Sequence, residues 1–458
     1  FMTNIDEIEE VEEREKLVLK VLEEVCEVVG SPVNYSKFKL KPKRKVPVYK
    51  PYFEQLKYYF VRDKVHVGVL EPFVRDPYIE DITCAGVGNM YIVHKIFGPL
   101  ETNVEFKSEE ELDLFVIRLS EYIGRPVSHA RPIVDASLPD GSRLNLVFGK
   151  DVSRRGSNFT IRKFSKVPLS VTQLINWGTF DARIAGYLWI MLSEGNSLFI
   201  CGETASGKTT TLNAISAFIK PTAKVVSIED TPEVNLPHEN WVSEVTRETG
   251  SEASSVSMFD LLKAALRQRP NYIIVGEIRG KEGNIAFQAM QTGHPVMATF
   301  HAASVERLIQ RITSHPIDVP KTHIDNLNVV LIQSAVYDAS GMLKRRVLSV
   351  NEIMGYDTES NTVMYLPVFT WDPVTDKFLF RGMGSSYLLE NKIAVLRGIP
   401  RRELKRIYEE IDLRARFLEL LIQRGVMNYF DVWKAVVKTY TLGLERCIEL
   451  LEKGEKFW

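Results

Sequence analysis

The sequence is short of several things, and each shortage removes a class of function. Only four cysteines occur in 458 residues, Cys26, Cys84, Cys201 and Cys447. They lie too far apart for a zinc knuckle or a disulfide framework. That cysteine usage fits a reducing cytosol as the expected setting; no apolar run reaches the ~18 residues of a spanning helix, and no signal peptide is expected at the start. Net charge is also missing: 58 Lys+Arg against 59 Asp+Glu leave -1. That balance gives no global attraction to nucleic acid or anionic lipid. Internal repeats and low-complexity segments are absent. What remains, 45% apolar residues and a mean hydropathy of -0.09, describes a globular chain with a large core, long enough for about three domains.

The strongest local signal is S-L-F-I-C-G-E-T-A-S-G-K-T-T-T, residues 197–211. An apolar run predicts a buried strand that breaks at Gly202. The loop Gly202, Glu203, Thr204, Ala205, Ser206, Gly207, Lys208, Thr209 fits G-x-x-x-x-G-K-[ST] at each fixed position, and Thr210 follows. Leu212, Ile215 and Ile219 then share one helical face, closed by Pro221. Strand, glycine-rich loop and helix in this order let bare N–H groups wrap a polyphosphate at the positive end of a helix. Lys208 would reach the β- and γ-phosphates and the Thr209 hydroxyl would ligate Mg²⁺, so ATP with Mg²⁺ is the expected ligand pair.

Taken in order, residues 5–29 read as an amphipathic helix, followed by six positive charges in the nine residues 37–45. That basic run is either a solvated linker or a contact for a phosphate-rich surface. Together they make an arm over residues 1–48. Residues 49–164 read as a mixed α/β domain. It has short strands near 79–83, 90–93, 133–138, 143–148 and 158–163, and a helix after Ser108 with Glu111 completing a capping box. A hinge is expected over 165–170, around Pro168. From 171 to 384 strands alternate with helices, which implies a parallel sheet covered on both faces. Residues 385–458 read as helical.

Ligands of open parallel sheets collect at the carboxyl ends of the strands. Three such ends here are polar: V-V-S-I-E-D-T-P-E with Glu229, I-I-V-G-E-I-R with Glu277, and T-G-H-P-V-M-A-T-F-H with His294 and His301. Phosphoryl transfer to water needs a metal and a carboxylate that orients the attacking water. Glu229 and Glu277 are the candidates. Either can hold a Mg²⁺-bound water while the other positions the nucleophile, and Glu277 joins Thr209 as a candidate metal residue.

These segments, together with L-R-Q-R-P-N-Y-I-I-V-G-E-I-R-G, R-P-I-V-D-A-S-L-P-D-G-S-R-L-N-L and T-I-R-K-F, resemble the signatures of the secretion-superfamily ATPases. That superfamily serves type II and type IV secretion, type IV pili and the archaellum. The resemblance implies an α/β fold: a RecA-like P-loop core with a parallel sheet, a mixed α/β N-terminal domain before it and a helical C-terminal region after it. It implies a homo-hexamer at the cytoplasmic face of the membrane, driving a membrane-embedded platform protein by Mg²⁺-dependent ATP hydrolysis. It also implies first-domain arginines that touch the phosphates, at the matching positions Arg131, Arg143 and Arg162. His301 belongs to the implied catalytic set. Arg267 and Arg269 are candidates for action across a subunit boundary. Among the branches the chain is most similar to the archaeal ones; the archaellum motor is favoured, with archaeal pilus assembly or secretion as the alternative. A DNA translocase is a further alternative, to which the near-zero charge lends no support, and nucleic acid is not an expected partner. Partner specificity is expected in the first fifty residues and in 385–458.

Overall fold

Two periods, 2 along the strands and 3.6 along the helices, account for how this chain buries itself. The computed structural model describes residues 10–37, 45–94, 97–163, 167–247, 254–338 and 341–458. It divides into two units, Phe1–Ser165 and Lys166–Trp458. Residues 164–166, within and beside the expected hinge, and 38–44 of the basic run lie outside the described residues.

In the first unit α1 (Val11–Val25) buries Val18 and Leu22. The helix expected over 5–29 ends there, a correction with a simple cause. The β-branched Val28 and Val29 belong to β1 (Cys26–Val29), which pairs in parallel with β2 (Val46–Tyr49). Two helices follow, α2 (Lys50–Lys64), with a proline in its first turn, and α3 (Glu71–Arg75). The remaining strands are β3 (Ile79–Cys84), β4 (Gly88–His94), β5 (Gly98–Phe106), β6 (Ile133–Ser137), β7 (Arg143–Val147) and β8 (Asn158–Arg162). They form one antiparallel sheet in the order β5-β4-β3-β8-β7-β6. Between β5 and β6 runs α4 (Glu109–Tyr122), whose Leu112, Val116 and Leu119 are buried in one cluster with Phe106, Leu144, Phe159 and Ile161. Ser108 caps α4 by accepting from the Glu111 amide at 3.2 Å. The Glu111 carboxylate reaches one residue further back than expected, to the Lys107 amide at 2.9 Å.

The second unit opens with α5 (Val171–Asn176) and α6 (Ala182–Ser193), then β9 (Leu198–Cys201) and α7 (Lys208–Ser216). Next come β10 (Val225–Glu229), β11 (Trp241–Val245), α8 (Met258–Arg267), β12 (Tyr272–Val275), α9 (Glu282–Gln291), β13 (Val296–Phe300) and α10 (Val305–Ile312). Four strands follow, β14 (Val329–Tyr337), β15 (Leu343–Asp357), β16 (Thr362–Asp372) and β17 (Lys377–Phe380). A π-helical turn (Leu388–Ile393) runs into α11 (Ala394–Leu396), and α12 (Lys405–Gln423), α13 (Tyr429–Leu442) and α14 (Leu444–Lys453) complete the unit.

All nine strands, β9 to β17, join one sheet, ordered β11-β10-β12-β13-β9-β14-β15-β16-β17. From β11 to β14 every pairing is parallel. The wholly parallel sheet expected from the sequence stops at β14. Each connection onward is a tight reversal with no crossover helix, so β14 to β17 pair antiparallel. Alternate strand residues feed two cores: Leu198 and Ile200 lie in one cluster with α6 and α12, Phe199 and Cys201 in the other with α9. The C-terminal helices share the first of these cores. α12 lies so close to α6 that a Cβ on Gly186 would stand 2.6 Å from the Ile411 carbonyl oxygen. Among the described residues no helix is long and apolar enough to cross a membrane.

Candidate functional site

The parallel register brings four strand ends together. Ile228 pairs with Val275, Val275 with Ala298, and Phe300 with Cys201. Glu229, Glu277, His301 and Gly202 therefore emerge side by side at the carboxyl edge, where the sequence reading expects the ligand. The Gly202 amide is tied to the Phe300 carbonyl at 3.2 Å.

Gly202 begins the loop because nothing larger fits: a Cβ there would lie 2.1 Å from the Gln333 carbonyl oxygen. Glu203, Thr204 and Ala205 form its exposed crest, Ser206 is buried, and Thr209 and Thr210 are half-buried on the first turn of α7. Gly207, at φ 91°, is the left-handed residue from which α7 starts, a conformation suited to glycine. The successive N–H groups and the helix dipole make the loop attractive to anions. Lys208 is 8% exposed and donates from Nζ to the Glu203 carbonyl at 2.7 Å. Burial holds its pKa below the ordinary lysine value, partly offset by Glu277.

The two carboxylates differ. Glu229 is 2% exposed; its Oε1 accepts from the Glu233 and Val234 amides, both at 2.9 Å, and its Oε2 has no partner among the described residues. Burial pushes its pKa up to about 7, against the pull of those two amides. It packs across Gly276, where a Cβ would stand 3.0 Å from Glu229 Cγ. Glu277 is more open. Its Oε2 accepts from Arg279, and its Oε1 contacts His301 Nε2 at 2.8 Å. Burial and the nearby Lys208 charge hold His301 below the ordinary imidazole value. A neutral ring at pH 7 is the consequence. The His301 backbone carbonyl accepts from Arg311. His294 stands apart from these groups, its Nδ1 3.1 Å from the Thr292 hydroxyl.

The first-unit arginines do not form one cluster. Arg143 and Arg162 face each other directly across β7 and β8. Arg143 forks onto Asp135, with Nε at 3.3 Å and Nη2 at 2.9 Å. Arg162 is exposed and also pairs in register with Asp81 of β3. Arg131 precedes the far end of the β6–β7 hairpin, where Ile133 pairs with Val147. Four strand positions, about 13 Å, separate that end from Arg143. In the second unit Arg267 lies in the last turn of α8, and Arg269 follows it at φ 52°.

Two residues that no motif flagged also touch the loop. Gln333 on β14 donates to the Ser206 carbonyl at 2.9 Å, and Arg345 on β15 donates to the Ala205 carbonyl at 3.1 Å. The available signal was a lone glutamine inside the apolar run V-V-L-I-Q-S-A-V. An amide 1% exposed in such a strand needs a partner.

Residues 63–358 match the family described as type II/IV secretion system protein. The uncharacterized protein MJ0900 of Methanocaldococcus jannaschii is 51% identical over 438 residues, 96% of this chain and 79% of that one. The type IV secretion system protein PtlH of Bordetella pertussis is 30% identical over 231 residues, 44% of this chain and 67% of that one. The X-ray structure of the Legionella pneumophila ATPase DotB aligns at 18% identity and a TM-score of 0.47, covering 74% of this chain and 94% of that one. With most of both units inside the matched span, the chain belongs to the type II/IV secretion ATPase superfamily.

Proposed function

We propose that the carboxyl edge of the parallel strands binds and hydrolyses ATP, and that the chain is the motor of an archaellum. The observation that carries the ATPase reading is the convergence of the Gly202–Thr209 loop, buried Lys208 and two chemically distinct carboxylates on adjacent strand ends.

The loop amides and Lys208 would hold the phosphates. The residues also suit Mg²⁺. Thr209 sits on the first turn after the loop, and Glu277 offers a partly exposed carboxylate from a neighbouring strand end. Thr209 and Glu277, directly or through water, would hold the ion, which neutralises charge on the transferring group. Glu229, poised near neutrality, is suited to take a proton from water; Glu277 with neutral His301 is suited to orient that water. Either carboxylate fits the base, and the two substitutions to Gln, read by single-turnover phosphate release, separate them. Arg131, Arg143 and Arg162 would supply positive charge to the developing phosphate oxygens.

The wider proposal is a homo-hexamer peripheral to the membrane, working on a membrane-embedded platform protein. The archaellum reading rests on the similarity to the archaeal branches. Pilus assembly or secretion is the second reading, favoured by the name that PtlH carries. Deleting the gene distinguishes them: loss of swimming with normal surface adhesion and secretion supports the archaellum, and the reverse pattern overturns it. Purified protein that releases no phosphate from ATP and Mg²⁺ would overturn the ATPase reading itself.

A further inference from the structure

A phosphate-binding loop works only while its N–H groups face inward. The carbonyls of the same residues must then face outward and find donors there. Here two of them find donors on strands that carry no recognised motif. Gln333 Nε2 takes the Ser206 carbonyl, and Arg345 Nε takes the Ala205 carbonyl.

The contacts are close on every side. A Cβ on Gly207 would stand 3.0 Å from both Arg345 Cδ and Gln333 Nε2, and a Cβ on Gly202 would stand 2.1 Å from the Gln333 carbonyl oxygen. Ala205 is held at φ 62°, a left-handed conformation that a residue with a Cβ keeps only under external constraint. The Arg345 bond lies on that residue's own carbonyl. Gln333 and Arg345 sit on neighbouring antiparallel strands, Gln333 level with Val347 and Ala335 with Arg345, so one rigid ladder presents both donors.

We infer that Gln333 and Arg345 are positioning residues for nucleotide binding: they turn the Ala205 and Ser206 carbonyls outward and so pre-set the loop amides for phosphate before any nucleotide arrives. This rests on the reading of the loop as a nucleotide site and extends it, because affinity is then set partly from the antiparallel half of the sheet. Pre-organisation of this kind acts on the binding step, since a loop already ordered has less freedom to lose.

The test is calorimetric titration of the full chain with ADP and Mg²⁺, beside nucleotide-free thermal melting. Gln333→Glu keeps the shape but sets a second acceptor against the Ser206 carbonyl, and Arg345→Ala removes the other donor. Each should weaken ADP about tenfold, the loss of one well-made polar contact. In steady state the loss should fall on KM for ATP more than on kcat. Arg345→Lys, which keeps a donor, should recover most of the affinity. Arg345 is exposed, so Arg345→Ala should melt near the wild-type temperature without nucleotide; that variant carries the test if Gln333→Glu folds poorly. Wild-type affinity in Arg345→Ala, or a fall matched by an equal loss of nucleotide-free stability, overturns the inference while leaving the site intact. A wild-type chain that binds no ADP overturns the site reading instead.

Discussion

The nine-stranded sheet has two halves that do different work. From β11 to β9 the strands are parallel and short, and they deliver Glu229, Glu277, His301 and the loop to one edge. From β14 to β17 the strands pair antiparallel with one another, β14, β15 and β16 are longer, and β15 buries Glu352 and Arg346 in closed networks. Glu352, fully buried on β15, accepts from Tyr187 Oη at 2.7 Å, Ser386 Oγ at 2.6 Å and the Leu388 amide at 3.1 Å. Arg346 forks onto Asp376 at 2.8 Å through both Nε and Nη2, and also donates to the Trp177 carbonyl at 3.1 Å. At the carboxyl edge Glu229 Oε2 has no partner among the described residues, whereas these networks satisfy theirs. The satisfied groups hold α5, α6, β15 and the C-terminal segment in place.

The contrast is broken if substitutions in the two halves have the same kind of effect. Lys208→Ala should lower steady-state phosphate release by at least ~1000-fold while melting close to wild type; normal turnover would remove the lysine from the site. Glu277→Gln should retain ATP and lose about 100-fold or more in single-turnover hydrolysis, and an unchanged rate would leave Glu277 with no essential part. In the other half, Glu352→Ala should cost about 3 kcal/mol, because it strands the Tyr187 and Ser386 hydroxyls in the core. Chemical denaturation measures this, and a cost below ~1 kcal/mol would mean that the network stabilises little.

The pH dependence sharpens the comparison. Burial raises the Glu229 pKa to about 7 in the folded chain, above the unfolded value near ~4.3. Between these values the folded state holds a proton that the unfolded state has released. Its contribution to stability is thus fully present below ~4.3 and lost as pH rises through 7. Activity runs the opposite way if the carboxylate is the base: kcat/KM should climb through an apparent pKa near 7, and Glu229→Gln should flatten the profile as well as lower it. A wild-type profile level from pH 6 to 8 would exclude Glu229 as the base. The smallest effect is expected at Arg143, a half-exposed partner of Asp135 whose surface pairing contributes little to stability. Arg143→Ala should slow turnover severalfold with nucleotide affinity nearly intact; equal loss of both would assign it a structural role.

The same contrast explains what the sequence reveals. In the parallel half β9 and β12 are uninterrupted apolar runs and only Thr299 breaks β13, so Tyr272–Val275 and Val296–Phe300 are legible to the residue, whereas Trp241–Val245, with Ser243 and Glu244, is not among the expected strands. In β15 the buried Arg346, Asn351 and Glu352 interrupt the hydrophobic pattern, so no period announces a strand of 15 residues. What makes those polar residues tolerable lies elsewhere in the chain, Tyr187 being 165 positions from Glu352. The same distance hides Gln333, whose partner Ser206 is 127 residues away. Local motif chemistry is readable because loop and helix are contiguous; long-range satisfaction of buried polar atoms is not.

The most direct measurement is an experimental density map of the chain with a non-hydrolysable ATP analogue and Mg²⁺. Triphosphate density wrapped by Gly202–Thr209 and touching Lys208, with the ion between Thr209 and Glu277, is the predicted result. Nucleotide bound anywhere else, or a loop whose Ala205 and Ser206 carbonyls point at the phosphates, would contradict the account.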